Sequence, residues 1–148
     1  MRPQNFIIKY LDEIPLMQLA TSRDNQPWVV NVYFAMDNQH NIFWLSQNTR
    51  RHSQDILANP KVAGVVHLPY EIGVAGRAVQ LQGEALTVPN VDIETEFQAY
   101  AEKFNQHAML EKLRDDSSPH KLYKLIPDLF VLYDEHNFPS EPRQEWRP

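Results

Sequence analysis

The sequence predicts a mainly β protein: a closed or nearly closed antiparallel barrel with a few flanking helices. Six or seven short segments carry the β-branched and aromatic residues that favour strands. Most of these segments are joined by short polar turns, which form hairpins rather than parallel crossovers. The chain of 148 residues favours one domain. We therefore interpret residues 1–148 as one barrel domain with an extended C-terminal tail over 137–148. A barrel of this size is filled by its own side chains, so a ligand would lie in a surface groove or between two subunits.

The first half of the chain predicts one helix and three strands. Residues 5–14 show helical spacing of apolar side chains, and Pro15 ends that helix. Three strands are then predicted over 16–21, 28–36 and 42–45. The polar turns between them predict an antiparallel meander of these three strands in chain order.

The second half predicts short helices between further strands. Helices are predicted over 49–57, 92–104 and 107–113, the second of them amphipathic. Strands are predicted over 62–68, 77–88, 121–126 and 129–133. A proline-rich tail follows.

Composition excludes several classes of function. The chain has no cysteine, which removes disulfides, thiolate chemistry and iron–sulfur clusters. A net charge of -5 argues against a nucleic-acid-coating protein. No apolar run approaches the roughly 20 residues needed to span a bilayer, and the N-terminus lacks a signal-peptide pattern, so we expect a cytoplasmic protein. Dinucleotide, P-loop and serine-triad motifs are missing, and the six histidines have no metal-ligand spacing.

One basic turn stands out. Arg50, Arg51 and His52 open the helix predicted over 49–57, with Asn48 or Thr49 as its N-cap. Helix N-termini carry partial positive charge, so each cation there is unfavourable by about 0.3–1 kcal/mol unless an anion is bound. A phosphate would reverse the sign of that effect. The alternative is a solvated basic patch, or one neutralised by acidic residues elsewhere in the fold.

The segment over 26–34 is unusually aromatic for an exposed strand. Core packing on one face and a subunit interface on the other explain this pattern most simply. The functional interpretation places Tyr33 or Trp44 beside a flat ring system.

Taken in order, three pieces resemble the pyridoxamine 5′-phosphate oxidase-like family of FMN-binding split barrels. The pieces are LATSRDNQPWVVNVYFAMD, NIFWLSQNTRRHSQDILANPKVAGVV and GRAVQLQGEALTV, and they cover roughly residues 16–88. The middle piece is the most specific, because it combines an aromatic strand, a basic pair opening a helix and an Asn-Pro before the next strand. The tail, FVLYDEHNFPSEPRQEW, is similar to the closing segment of many single-domain members.

The resemblance implies a six- to seven-stranded antiparallel split β-barrel that forms a homodimer with FMN at the subunit interface. By resemblance, the phosphate ligands are Arg51 and His52, with Arg50 and Thr49 beside them. The other positions that the family assigns to the cofactor are Leu45 and Ser46 at a strand end, Val30, Asn31, Val32 and Tyr33 along the isoalloxazine, and Gln80 or Gln82 from the partner subunit.

The sequence departs from the family pattern in three places. His52 stands where a lysine is common, so FMN would bind more weakly as pH rises. Leu45 stands where an aromatic residue is frequent. The arginine-rich C-terminal substrate region of true pyridoxamine phosphate oxidases is also missing, which implies a different reaction.

The resulting hypothesis is an FMN-dependent oxidoreductase acting on an unknown small molecule. The alternative is a non-catalytic flavin carrier, sensor or haem-binding protein. Haem would need an axial ligand, for which the sequence offers His67, His107 or His136. A deazaflavin remains a further alternative cofactor.

Overall fold

A computed structural model describes residues 1–148 and contains five α-helices and eight strands. The helices are α1 (Pro3–Glu13), α2 (Arg51–Ala58), α3 (Ile93–Glu96), α4 (Gln98–Phe104) and α5 (Met109–Arg114). The strands are β1 (Leu16–Arg23), β2 (Gln26–Tyr33), β3 (Ala35–Met36), β4 (Ile42–Gln47), β5 (Lys61–His67), β6 (Arg77–Thr87), β7 (His120–Asp134) and β8 (Arg143–Trp146). None of the helices is long and apolar enough to cross a lipid bilayer.

The strands form one antiparallel sheet in the order β2-β1-β5-β6-β7-β4-β3, with β8 added to β7. The sheet is a split β-barrel, as the sequence predicts. The prediction that the first three strands pair in chain order is wrong for the third of them. Strand β4 pairs along its length with β7, from Ile42 opposite Leu125 to Gln47 opposite His120, and it meets only the two-residue β3 on its other side.

The strand predicted over 28–36 is split at Phe34. The backbone N–H of Phe34 donates to the carbonyl oxygen of Pro15 at 3.1 Å, in register with the β1–β2 ladder and one residue beyond the pair of Leu16 and Tyr33, and its side chain is fully buried. The chain therefore pairs with β1 before Phe34 and with β4 after it. Because β2 and β3 are the two ends of the sheet, this single residue closes the barrel.

The two strands predicted over 121–126 and 129–133 are one continuous strand, β7. Pro127 has no N–H to donate, which is why the sequence suggests a break there. The structure accommodates Pro127 opposite Gly83, beside a bulge where β7 has one extra residue, Asp128, between the partners of Gln82 and Gly83. A Cβ on Gly83 would collide with the carbonyl oxygen of Ile126 and lie 2.8 Å from its carbonyl carbon, so the two backbones require glycine at this position.

The sheet and helices enclose two apolar clusters. The larger has 20 buried residues inside the barrel and beneath α1. The smaller, of nine residues, lies between the β4–β7 region and the helices α3 to α5. The helix predicted over 92–104 is interrupted at Phe97, whose ring is buried in this smaller cluster. The tail is ordered onto the barrel, with Trp146 stacked on Phe130 at a centroid distance of 5.2 Å.

Candidate functional site

The candidate site is a surface cavity of about 400 Å³ where β2, β4 and the N-terminus of α2 meet. Its lining residues are Trp28, Val30, Leu45, Ser46, Gln47, Arg50, Arg51, His52 and His120. The helix α2 begins directly after β4, so the end of that strand and the first turn of the helix face the same space.

The first turn of α2 presents two arginines and no acid. Arg50 is the N-cap residue, its side chain makes no capping hydrogen bond, and no acidic residue follows in the first turn. The predicted cap at Asn48 or Thr49 is wrong, because a turn closed by the Arg50 N–H on the Gln47 carbonyl at 3.2 Å starts the helix later. Helix N-termini have free backbone donors, so this end of α2 is suited to an anion.

Arg51 is held on two sides. Its guanidinium carbon lies 4.0 Å from the centroid of the Trp28 ring, and its Nε lies 4.0 Å from Oδ2 of Asp55. A cation over an indole face is stabilised by the ring quadrupole. Arg50, in contrast, forms no ion pair, so its charge is not neutralised within the chain.

Asp55 explains part of the basic turn without a ligand. This carboxylate is only 1% exposed. It accepts a hydrogen bond from the Thr21 hydroxyl at 2.8 Å and pairs with Arg23 at 3.2 Å. Arg51 therefore has one acidic neighbour, within its own helix and at 4.0 Å, whereas Arg50 has none.

His52 is buried beside the cavity. Its Nε2 lies 2.8 Å from the Ser46 hydroxyl. Burial lowers the pKa of His52, and the charge of Arg50 lowers it further, with Asp55 opposing them. The ring is therefore neutral near pH 7 and supplies hydrogen bonding rather than positive charge. We therefore expect any loss of FMN affinity that follows deprotonation of His52 to occur below the usual pH range of histidine titration.

Six of the twelve predicted site residues come together in this cavity. They are Val30, Leu45, Ser46, Arg50, Arg51 and His52. Thr49 is exposed in the preceding turn, and Val32 points into the barrel core. Asn31 accepts a hydrogen bond from Gln18 at 2.8 Å. Tyr33 is 58% exposed and packs edge-on against Phe104.

Gln80 and Gln82 lie in a different place from the cavity. Both are exposed on β6 and alternate with buried residues, so they face outward from the barrel. They line a second cavity, of about 370 Å³, together with Gln18, Val29 and other residues of the outer sheet face. A single protomer does not bring these two glutamines to the α2 site.

Three lining residues were not among the predicted ones. Trp28 could have been predicted from the sequence, because it lies on the same face of the strand as Val30. Gln47 follows Ser46 directly, whereas His120 reaches the cavity only through its pairing with Gln47. Trp44, the suggested ring-stacking residue, is fully buried and stacks on Tyr123 in the core, so it does not face the cavity.

The three histidines considered as haem ligands also lie away from this cavity. His67 lines a separate pocket beside Tyr70 and Tyr133. His107 and His136 are exposed. None of the three lines the α2 site.

Comparisons with known proteins agree with this fold. The chain is 21% identical over 102 residues to the UPF0306 protein PM1958 of Pasteurella multocida, which covers 68% of each chain. It is similar in structure to HutZ, the heme storage protein from Vibrio cholerae, with a TM-score of 0.66, 22% identity and coverage of 86% of this chain and 91% of HutZ.

A second solved structure with this fold is that of a flavin-binding protein. It is an FAD-binding protein from Mesorhizobium loti, similar to this chain with a TM-score of 0.66, 20% identity and coverage of 87% of this chain and 90% of that protein. The sequence model of pyridoxamine 5′-phosphate oxidase matches residues 7–131, which is most of the chain. The chain therefore belongs to the pyridoxamine 5′-phosphate oxidase family.

Proposed function

We propose that this protein binds FMN as a homodimer in the cytoplasm and acts as an FMN-dependent oxidoreductase on a small molecule. The observation that carries the proposal is the first turn of α2, which has two arginines, no acid and no capping side chain. A bound phosphate compensates an arrangement that is otherwise unfavourable for the helix. Membership of the pyridoxamine 5′-phosphate oxidase family supports a flavin as the source of that phosphate, and FMN is the flavin that we propose.

The donor set fits a phosphate. Arg50 has no acidic partner, and Arg51 meets Asp55 only through Nε, which leaves its terminal amino groups for a ligand. Charge-assisted hydrogen bonds of this kind are among the stronger ones in proteins. The neutral His52 and the hydroxyl of Ser46 lie at the same wall and add polar groups without a further positive charge.

The remaining lining residues suit the rest of a flavin. Val30 and Leu45 give an apolar wall, and Trp28 contributes an aromatic surface that is 42% exposed. When bound, FMN supplies hydride transfer, while the protein binds it, orients it and tunes it through hydrogen bonds.

The homodimer is supported by the outer sheet face. The cavity lined by Gln80 and Gln82 also contains Gln18, whose Oε1 is buried without a hydrogen-bond partner. Gln80 and Gln82 are exposed there and accessible to a second subunit. This arrangement agrees with a partner subunit supplying one glutamine to each flavin.

The second candidate is a non-catalytic flavin- or haem-binding protein. It is favoured by the structural similarity to a heme storage protein. Steady-state oxidation of NADH or NADPH by the flavin-loaded protein, with a range of acceptors, separates the two. Turnover supports the oxidoreductase, whereas inactivity across donors and acceptors supports the carrier or sensor.

The cofactor is tested by the near-ultraviolet and visible absorption spectrum of the purified protein, before and after adding FMN. We expect the bands of oxidised flavin, perturbed from those of free FMN. An intense Soret band would indicate that the protein binds haem instead of flavin. A colourless protein that leaves the spectrum of added FMN unchanged would contradict the proposal.

A further inference from the structure

We propose that Asp55 is a positioning residue that presents Arg51 to an anionic ligand at the α2 site. This inference rests on the proposed phosphate-binding function. Asp55 is buried and does not line the cavity. It lies one helical turn after Arg51, the arginine that it orients.

Asp55 connects the candidate site to the neighbouring hairpin. One carboxylate oxygen, Oδ1, pairs with Arg23 at 3.2 Å. The other, Oδ2, accepts the Thr21 hydroxyl at 2.8 Å and lies 4.0 Å from Nε of Arg51. Thr21 and Arg23 belong to β1, so the carboxylate ties α2 to the sheet at a defined position.

This geometry limits the orientation of the Arg51 guanidinium. The Trp28 ring covers its face at 4.0 Å, and Asp55 lies on its Nε side. Asp55 contacts Arg51 only at Nε, and the same arginine side chain lines the cavity, so its terminal amino groups are left for a ligand. A long side chain that is already ordered loses less conformational freedom when a ligand binds.

Positioning and simple electrostatics predict opposite signs for one substitution. Asp55→Asn removes a negative charge close to an anion site, so charge repulsion alone predicts tighter binding of FMN. Positioning predicts weaker binding, because Arg51 must then be ordered by the ligand. We expect the FMN dissociation constant to rise by roughly threefold to tenfold, the cost of ordering one long side chain.

The experiment compares FMN with riboflavin, which lacks the phosphate, by titrating flavin fluorescence against wild type and Asp55→Asn. The ratio of the riboflavin to the FMN dissociation constant should fall in the variant by the same roughly threefold to tenfold. The matched control is Asp116→Asn. It changes the charge equally at an exposed position, where the backbone φ of 63° is tolerated by asparagine, and it should leave the ratio unchanged.

If Asp55→Asn does not fold, a second variant tests the same proposal. Thr21→Val keeps the charge of Asp55 and removes one hydrogen bond that orients it, so the same ratio should fall by a smaller factor. An unchanged or increased ratio in the folded variant would overturn the proposal, as would an equal weakening of both flavins. If wild type binds FMN no better than riboflavin, the proposed phosphate site itself fails, which is a different outcome.

Discussion

Removing both arginines of the first turn of α2 should weaken FMN binding selectively. Arg50 and Arg51 line the cavity, and Arg50 has no ion pair within the chain. A hydrogen bond to a charged group contributes about 1.5–3 kcal/mol. The Arg51 side chain is 44% exposed and lies near Asp55, so we take the lower end for each arginine. The sum of about 3 kcal/mol corresponds to roughly a hundredfold increase in the FMN dissociation constant.

The double variant Arg50→Ala/Arg51→Ala should remain folded. Two cations are removed from a helix N-terminus, where each is unfavourable by about 0.3–1 kcal/mol. This gain offsets the loss of the 4.0 Å contact between Arg51 and Asp55, and the buried Asp55 keeps its closer partner Arg23 at 3.2 Å. Circular dichroism and thermal unfolding check the fold before binding is measured.

The assay is a fluorescence titration of FMN and of riboflavin against both proteins. The matched control is Arg114→Ala/Arg143→Ala, which removes the same charge from exposed ion pairs away from the cavity. We expect riboflavin binding to be nearly unchanged in the double variant and FMN binding in the control to match wild type. An FMN dissociation constant that stays within about threefold of wild type would refute the phosphate-site argument.

Three further predictions concern stability. Gly83→Ala should lower the free energy of unfolding by about 3 kcal/mol, because its Cβ collides with backbone. In Gly76→Ala the new Cβ contacts only the Tyr70 ring at 4.0 Å, so urea denaturation should show little change. Because burial lowers the pKa of His52, acidification through about pH 6.5 should destabilise wild type more than His52→Gln. Equal pH slopes in the two unfolding curves would contradict a buried neutral ring. Trp146→Ala should cost about 1–2 kcal/mol, because its ring stacks on the buried Phe130. FMN affinity should not change in that variant, because Trp146 does not line the cavity.

The basic turn was predictable because it violates a local rule. Cations in the first turn of a helix conflict with the helix dipole, and the sequence alone contains both the helix and the cations. The strand positions followed in the same way from local apolar patterns and turns. The antiparallel barrel is the outcome of those hairpins, and the structure confirms it.

The parts that the sequence did not reveal depend on contacts between distant residues. Strand β4 pairs with β7 rather than with β2, and Ile42 and Leu125 are neighbours only because the barrel closes at Phe34. The same closure delivers His120 to the site beside Gln47. Local patterns carry no information on such pairings.

The role of Asp55 also depends on contacts with residues that are distant in the sequence. In the sequence it is an ordinary helical acid four residues after Arg51, a spacing typical of a surface ion pair. In the structure Thr21 and Arg23 surround it, and it is 1% exposed. Its neutralising role, and the difference between Arg50 and Arg51 that follows, required the fold.

A crystal structure of the protein with FMN would test the proposed phosphate site most directly. We expect the phosphate to lie at the first turn of α2, within hydrogen-bond distance of backbone N–H groups and of Arg50 and Arg51. We also expect Ser46 and His52 to lie beside the flavin in the cavity. A phosphate bound elsewhere, with the two arginines still facing solvent, would show that the first turn of α2 is not the phosphate site.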